Sequence, residues 1–193
     1  MILRGKNYPH FLEIRGEIFM LKSDFARLNK IRSQNDEKLF ANARNAAAGS
    51  VRQLDPHITA KRKLSIFCYE LGASKGLDTN THWDMLSYLK SIGLPINPLA
   101  KKIDCIDSMI SYHRDLEHIR ENIPYEIDGS VIKVDNYALR SKLGDRARSP
   151  RWAIAAKFKS KNAETQIIDI VLQVGRTGVI TPVAKIKEVE ISG

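Results

Sequence analysis

The chain has only two cysteines, Cys68 and Cys105, 37 residues apart, and neither has a second Cys or a His at metal-ligand spacing. Zinc is therefore not expected, and both thiols read as small core residues. No run of about 18 apolar residues occurs, and the start lacks the basic, apolar and small-residue succession of a secretory signal. The expectations are no membrane partner and a cytoplasmic location. Internal repeats and low-complexity tracts are missing, as is the regular strand–helix alternation of a doubly wound fold. Paired aromatics of the kind that form an RNA-stacking platform are not evident either.

What is present is a surplus of positive charge on an otherwise ordinary globular composition. Lys and Arg number 31 against 22 Asp and Glu, a net charge of +9, with 43% hydrophobic residues among 193. Such a balance favours polyanionic partners through counterion release, nucleic acid first among them. The densest basic stretches are Lys61-Arg62-Lys63 and residues 140–151, where Arg140, Lys142, Arg146, Arg148 and Arg151 face the single acid Asp145.

Residues 12–20 alternate, with Leu12, Ile14, Gly16, Ile18 and Met20 on one face and Glu13, Arg15, Glu17 and Phe19 on the other, which predicts a strand with one charged side. Ser23 is placed to cap a short helix carrying Phe25, Leu28 and Ile31, and Asn42 to cap an Ala-rich one. Leu64 to Leu71 reads as a buried strand. Thr81-His-Trp-Asp84 resembles a capping box opening a helix that ends at Gly93, and a polar helix is expected over 106–121, stopped by Pro124. Glu126 to Val134 and Trp152 to Lys159 are two further expected strands. From residue 162 the texture becomes all-β: Ile167 to Val174, a Gly175-Arg-Thr-Gly178 turn, then Val179 to Ile191. The class is mixed α+β with a mainly antiparallel sheet.

Several charged residues stand where ligand chemistry could use them. The run from Phe40 to Leu54 sets Arg44, Asn45 and Arg52 among alanines, small residues that let a ligand or another backbone come close. On one helix Arg44 and Arg52 differ by about 80° and about 12 Å, within reach of neighbouring phosphates, which guanidinium forks suit. Asp128 and Lys133 are five positions apart and fall on opposite faces of a regular strand, so a bulge near Gly129 is predicted. Lys157 has Ala153 and Ala155 on its own face. In isolation each of these is also an ordinary surface charge.

Four ordered segments change the weighing: Phe11-Leu-Glu-Ile-Arg-Gly-Glu-Ile-Phe-Met20, the Phe40 to Leu54 run, Ile127-Asp-Gly-Ser-Val-Ile-Lys-Val134 and Pro150-Arg-Trp-Ala-Ile-Ala-Ala-Lys-Phe158. Together they resemble the adenylation domain of bacterial NAD-dependent DNA ligases. The resemblance implies the C-terminal part of an ATP-grasp-like nucleotidyltransferase domain over residues 1–161, running into the first strands of a truncated OB-fold over 162–193. It implies that Glu17 holds the AMP ribose, Lys133 contacts the nucleotide base, and Lys157 lies against the α-phosphate. By the same resemblance Asp128 helps hold magnesium, Arg44 and Arg52 serve the adenylate and nick-phosphate steps, Arg120 is a further catalytic arginine, and Arg176 faces nucleic acid or AMP phosphate. The implied partners are NAD and nicked double-stranded DNA, acting on a monomer. Three positions depart from the family pattern: Ala43 for a proline, Ser130 for a branched apolar residue, and Ala156 for an aromatic.

The family's nucleophile is the lysine of a Lys-x-Asp-Gly motif, and no such sequence occurs here. The expectation is a ligase fragment, an expressed piece or a truncated reading frame, inactive alone. The alternative is a non-catalytic nucleic-acid or nucleotide-binding module that keeps the ligase fold.

Overall fold

The computed structural model describes residues 3, 8–159 and 162–189. The chain divides into two compact units, Met1–Phe158 and Lys159–Gly193.

In the first unit β1 (Phe11–Phe19) pairs antiparallel with β2 (Ser65–Lys75). The register slips twice, between Leu12 and Ile14 and between Arg15 and Gly16, and both extra residues belong to β2. β1 keeps its alternation as far as Glu17, with Glu13, Arg15 and Glu17 exposed, and then loses it, Ile18 being exposed and Phe19 half-buried. Between the two strands run α1 (Lys22–Gln34), α2 (Ala43–Val51) and α3 (Pro56–Ala60).

Ser23 is not the cap of α1. The helix begins two residues earlier than such a cap implies, with Leu21 at the cap position and no side-chain cap bond. Its first amide is satisfied from afar, Lys22 N donating to Pro124 O at 2.8 Å, while the Lys22 ammonium donates to the carbonyls of Arg120 and Glu121. A tertiary contact has taken the place of a local cap. Asn42 caps α2 as expected, its Oδ1 accepting from Asn45 N at 2.7 Å.

The alanines of α2 form a buried stripe at i, i+3, i+4 and i+7: Ala43, Ala46, Ala47 and Ser50. They pack with Met20 against Phe25, Leu28, Phe40 and Leu64. The small residues thus bring the helix close to its own core, one of the two close approaches that their size allows.

The larger core lies between the β1–β2 sheet and α4 (His82–Ser91), where Cys68, Met85, Leu86, Leu89, Ile92 and Leu94 meet Leu12, Ile14 and Leu71. Thr81 caps α4, accepting from Asp84 N at 3.1 Å, and Gly93 turns the chain at φ +89°. α5 (Ile106–Ile119) lies against β3, and two short helices not legible from periodicity complete the unit: α3, against α2, and α6 (Tyr137–Leu143), which runs into the basic stretch.

β3 (Gly129–Lys133) and β4 (Ala153–Lys157) make a second antiparallel pair, shorter than expected and in unbroken register from Gly129 opposite Lys157 to Lys133 opposite Ala153. There is no bulge at Gly129. The glycine serves close strand approach, since a Cβ there would run into the carbonyl oxygen of Ala156.

The second unit holds β5 (Ile167–Val174) and β6 (Ile180–Ile186), an antiparallel hairpin whose Gly175–Gly178 turn places Gly178 at φ +81°. Pro182 lies within β6, opposite Leu172. Nearly every residue of the two strands is exposed. Residue 161 and the expected end of the last strand at 190–191 lie outside the described residues. Among the described residues no helix is long and apolar enough to cross a membrane.

The two sheets of the first unit are joined by side chains around Glu70 of β2. Lys133 Nζ of β3 donates to Glu70 Oε2 at 2.8 Å, Arg140 Nη1 of α6 lies 3.6 Å away, and His82 Nδ1 of α4 stands 3.5 Å from Oε1. Burial would push this carboxyl up, but His82 and Lys133 outweigh it and hold it at about 2, against an ordinary 4.5. A depressed carboxyl stabilises the fold fully above its ordinary value and ceases to do so as pH falls through about 2. Glu70→Gln is therefore expected to lower the melting temperature at pH 7 by on the order of 5 °C. The gap from the parent protein should narrow as pH drops from about 5 toward 2 in thermal melts; a gap independent of pH would contradict this.

Candidate functional site

Glu17 stands on the charged face of β1, opposite Phe67 in the ladder, exposed and without an ion-pair partner among the described residues. The next residues of the strand fix its place: Phe19 stacks on Phe67 with ring centroids 4.5 Å apart, and both meet Tyr125. The aromatic cluster anchors this end of the sheet while the carboxylate faces water.

The buried stripe of α2 turns Arg44 and Asn45 outward. Arg44 Nη1 reaches Asp128 Oδ2 at 3.2 Å, closing a sequence separation of 84 residues. Asp128 immediately precedes β3, and its carbonyl accepts from Phe158 N at 2.9 Å, while the next rung pairs Gly129 with Lys157. Arg44 and Asp128 thus meet beside the strand end that carries Lys157. The ion pair is exposed on both sides, 69% and 63%, so it is worth well under about 1 kcal/mol and opens readily. Lys157 is exposed and has no ion-pair partner among the described residues.

Arg52 caps the far end of α2, exposed and likewise unpaired among the described residues. Arg120 caps α5, paired with its neighbour Glu121 at 3.6 Å, and no contact joins it to Arg44, Asp128 or Lys157. Arg176 lies on the exposed turn of the hairpin in the second unit. Lys133 belongs to the Glu70 cluster instead of the Asp128 corner: five residues of regular strand put it on the opposite face, as its spacing implies without a bulge.

The basic stretches are only partly free surface. Arg62 donates to Ser50 Oγ and lies over the Phe40 ring, and burial lowers its pKa. Arg140 is 6% exposed, clamped between the rings of Trp152 and Tyr137 at 4.2 and 4.9 Å. The sequence does not show that Arg140 of the basic stretch and His82 of the capping segment gather around Glu70. The available signal was a glutamate inside a strand otherwise buried, which must find a cation.

As for a metal, no group of three or more His, Cys, Asp or Glu side chains gathers among the described residues. Asp128 supplies one carboxylate at the corner, and a hard divalent cation held there would draw its other ligands from phosphate oxygens and water.

These residues sit in a sequence whose relatives are known. The model of the NAD-dependent DNA ligase adenylation domain matches residues 1–161. The chain is 54% identical over 185 residues to a DNA ligase of Geotalea daltonii, covering 96% of this chain and 28% of that protein. It is 49% identical over 191 residues to a DNA ligase of Geobacter metallireducens, covering 99% and 28%, and 48% identical over 191 residues to one of Pseudomonas syringae pv. tomato, covering 99% and 24%. The chain spans about a quarter of the length of these relatives. By the extent of that match, and with its mixed helices and antiparallel sheets, the chain belongs to the family of NAD-dependent DNA ligase adenylation domains.

Proposed function

We propose that residues 1–161 are the later part of an ATP-grasp-like nucleotidyltransferase domain and that residues 162–193 open an OB-fold. In the intact ligase they would serve the joining of 5′-phosphate and 3′-hydroxyl ends at nicks, through a lysyl-AMP and an adenylated DNA, in replication and repair. The observation that carries this reading is the corner where Arg44, Asp128 and the Lys157 strand end meet from three separate segments of the chain. A guanidinium, a carboxylate and an unpaired ammonium at one exposed strand end suit a nucleotide phosphate.

Lys157 would stabilise the charge that develops on the α-phosphate as the phosphoanhydride breaks, usually the largest catalytic contribution in such sites. Glu17 would accept from the ribose hydroxyls and Lys133 would donate to the base of the AMP moiety of NAD. Asp128 would hold magnesium, which when bound neutralises phosphate charge. Arg44 and Arg52, with Arg176 of the hairpin, would contact phosphates of nicked duplex DNA, and Arg120 would assist adenylate transfer. The nucleophilic amine is not among these residues, since no Lys-x-Asp-Gly occurs in the chain.

In the intact ligase Lys157→Ala and Glu17→Ala should each cost roughly 3 kcal/mol of transition-state stabilisation in adenylate transfer, with melting temperatures nearly unchanged. Lys159→Ala should matter less. Full adenylation rates in all three variants would refute the site. Mass spectrometry of the isolated chain after incubation with NAD and magnesium should show no gain of one AMP; such a gain would place a nucleophile within these residues. Nicked-duplex affinity of the chain should fall steeply with salt, and Arg44→Ala or Arg52→Ala should each reduce the slope of log K against log salt by about one. Slopes identical to the parent would remove these arginines from the DNA interface.

A further inference from the structure

Lys133 could contact a base with any rotamer of a long, flexible stem, yet the structure holds it in one. An ammonium has three N–H donors and no acceptor. One is given to Glu70 Oε2 at 2.8 Å, and the Tyr69 carbonyl oxygen lies 3.4 Å from the same nitrogen. The Tyr69 ring centroid stands 5.0 Å away. The side chains of Lys133 and Glu70 are 17% and 16% exposed, so the pair is largely removed from competing water.

Glu70 is in turn fixed from behind. Arg140 Nη1 lies 3.6 Å from Oε2, its guanidinium clamped between Trp152 and Tyr137 and its Nε donating to Val134 O. His82 Nδ1 stands 3.5 Å from Oε1 but makes no hydrogen bond. Of the three nitrogens around this carboxylate, only Lys133 makes a short hydrogen bond to it. Arg140 and His82 set where the carboxylate sits, and the carboxylate sets where the ammonium sits.

We propose that Glu70 is a positioning residue for Lys133: by engaging its ammonium together with the Tyr69 carbonyl, it leaves one N–H to meet an acceptor atom on the nucleotide base. The inference rests on the reading of Lys133 as a base-contacting residue. Ordering the side chain before the nucleotide arrives removes that entropy cost from binding, so its loss should show in affinity for NAD more than in turnover.

The test is a double-mutant cycle on the intact ligase, with KM for NAD and kcat measured separately below the melting temperature of each variant. Lys133→Ala should raise KM for NAD by about tenfold, and Glu70→Gln should raise it by a similar factor with a smaller change in kcat. The double variant should be no worse than Lys133→Ala alone. Glu70→Asp, which keeps the charge but withdraws it by one methylene, should give a smaller rise, and it carries the same comparison if Glu70→Gln does not fold. A purely structural Glu70 would cut kcat through the folded fraction and leave KM at the parent value. That result, or effects that multiply in the double variant, overturns the inference while Lys133 keeps its role. An unchanged KM in Lys133→Ala would overturn the base contact itself, and the inference with it.

Discussion

Two strands alone make a marginal sheet, and the first unit contains two such pairs that share no ladder among the described residues. What joins them at the side-chain level is one carboxylate faced by nitrogens of Lys133, Arg140 and His82, from three elements. A buried charge of this kind costs more in lost hydration than it returns unless each partner is held in place, and here each is. Arg140 is sandwiched by aromatics. His82 begins a helix whose first amides are bound by Asp135, the backbone of His82 to its carbonyl and that of Trp83 to its carboxylate. β3 is thus tied to β2 by a side-chain ion pair and not by a ladder.

The α2 helix shows the complementary economy. Its alanines give little apolar area, yet they let the helix lie close on Met20, Phe25 and Phe40. Close packing of short side chains fixes the rotation of the helix, and rotation decides which way Arg44 points. The chemistry on the outer face therefore depends on the smallness of the inner one, even though no alanine touches Asp128.

Local rules in the sequence foretold the local parts of this architecture. Alternation revealed β1, Asn42 and Thr81 announced their helices, and the Gly175 to Gly178 turn marked the hairpin. What stayed hidden were pairings across long separations, which no period records. Lys133 finds Glu70 across 63 residues, Arg44 finds Asp128 across 84, and Pro124 supplies the acceptor that made a Ser23 cap unnecessary. α3 and α6 were missed because five and seven residues are too few to show a helical period, although Asn136 and Gly144 bracket α6 in the usual way. The bulge at Gly129 was inferred by asking Asp128 and Lys133 to serve one spot; the regular strand divides them between two.

The exposed contact between Arg44 and Asp128 has a thermodynamic corollary. Each residue occupies the other's charge while both are idle. A cation that claims the carboxylate frees the guanidinium, and an anion that claims the guanidinium frees the carboxylate. By reciprocity of coupled equilibria, whatever free energy the first arrival lends the second, the second must lend the first in equal measure. Opposite charges brought to this corner would favour one another by no more than the pair itself is worth, well under about 1 kcal/mol.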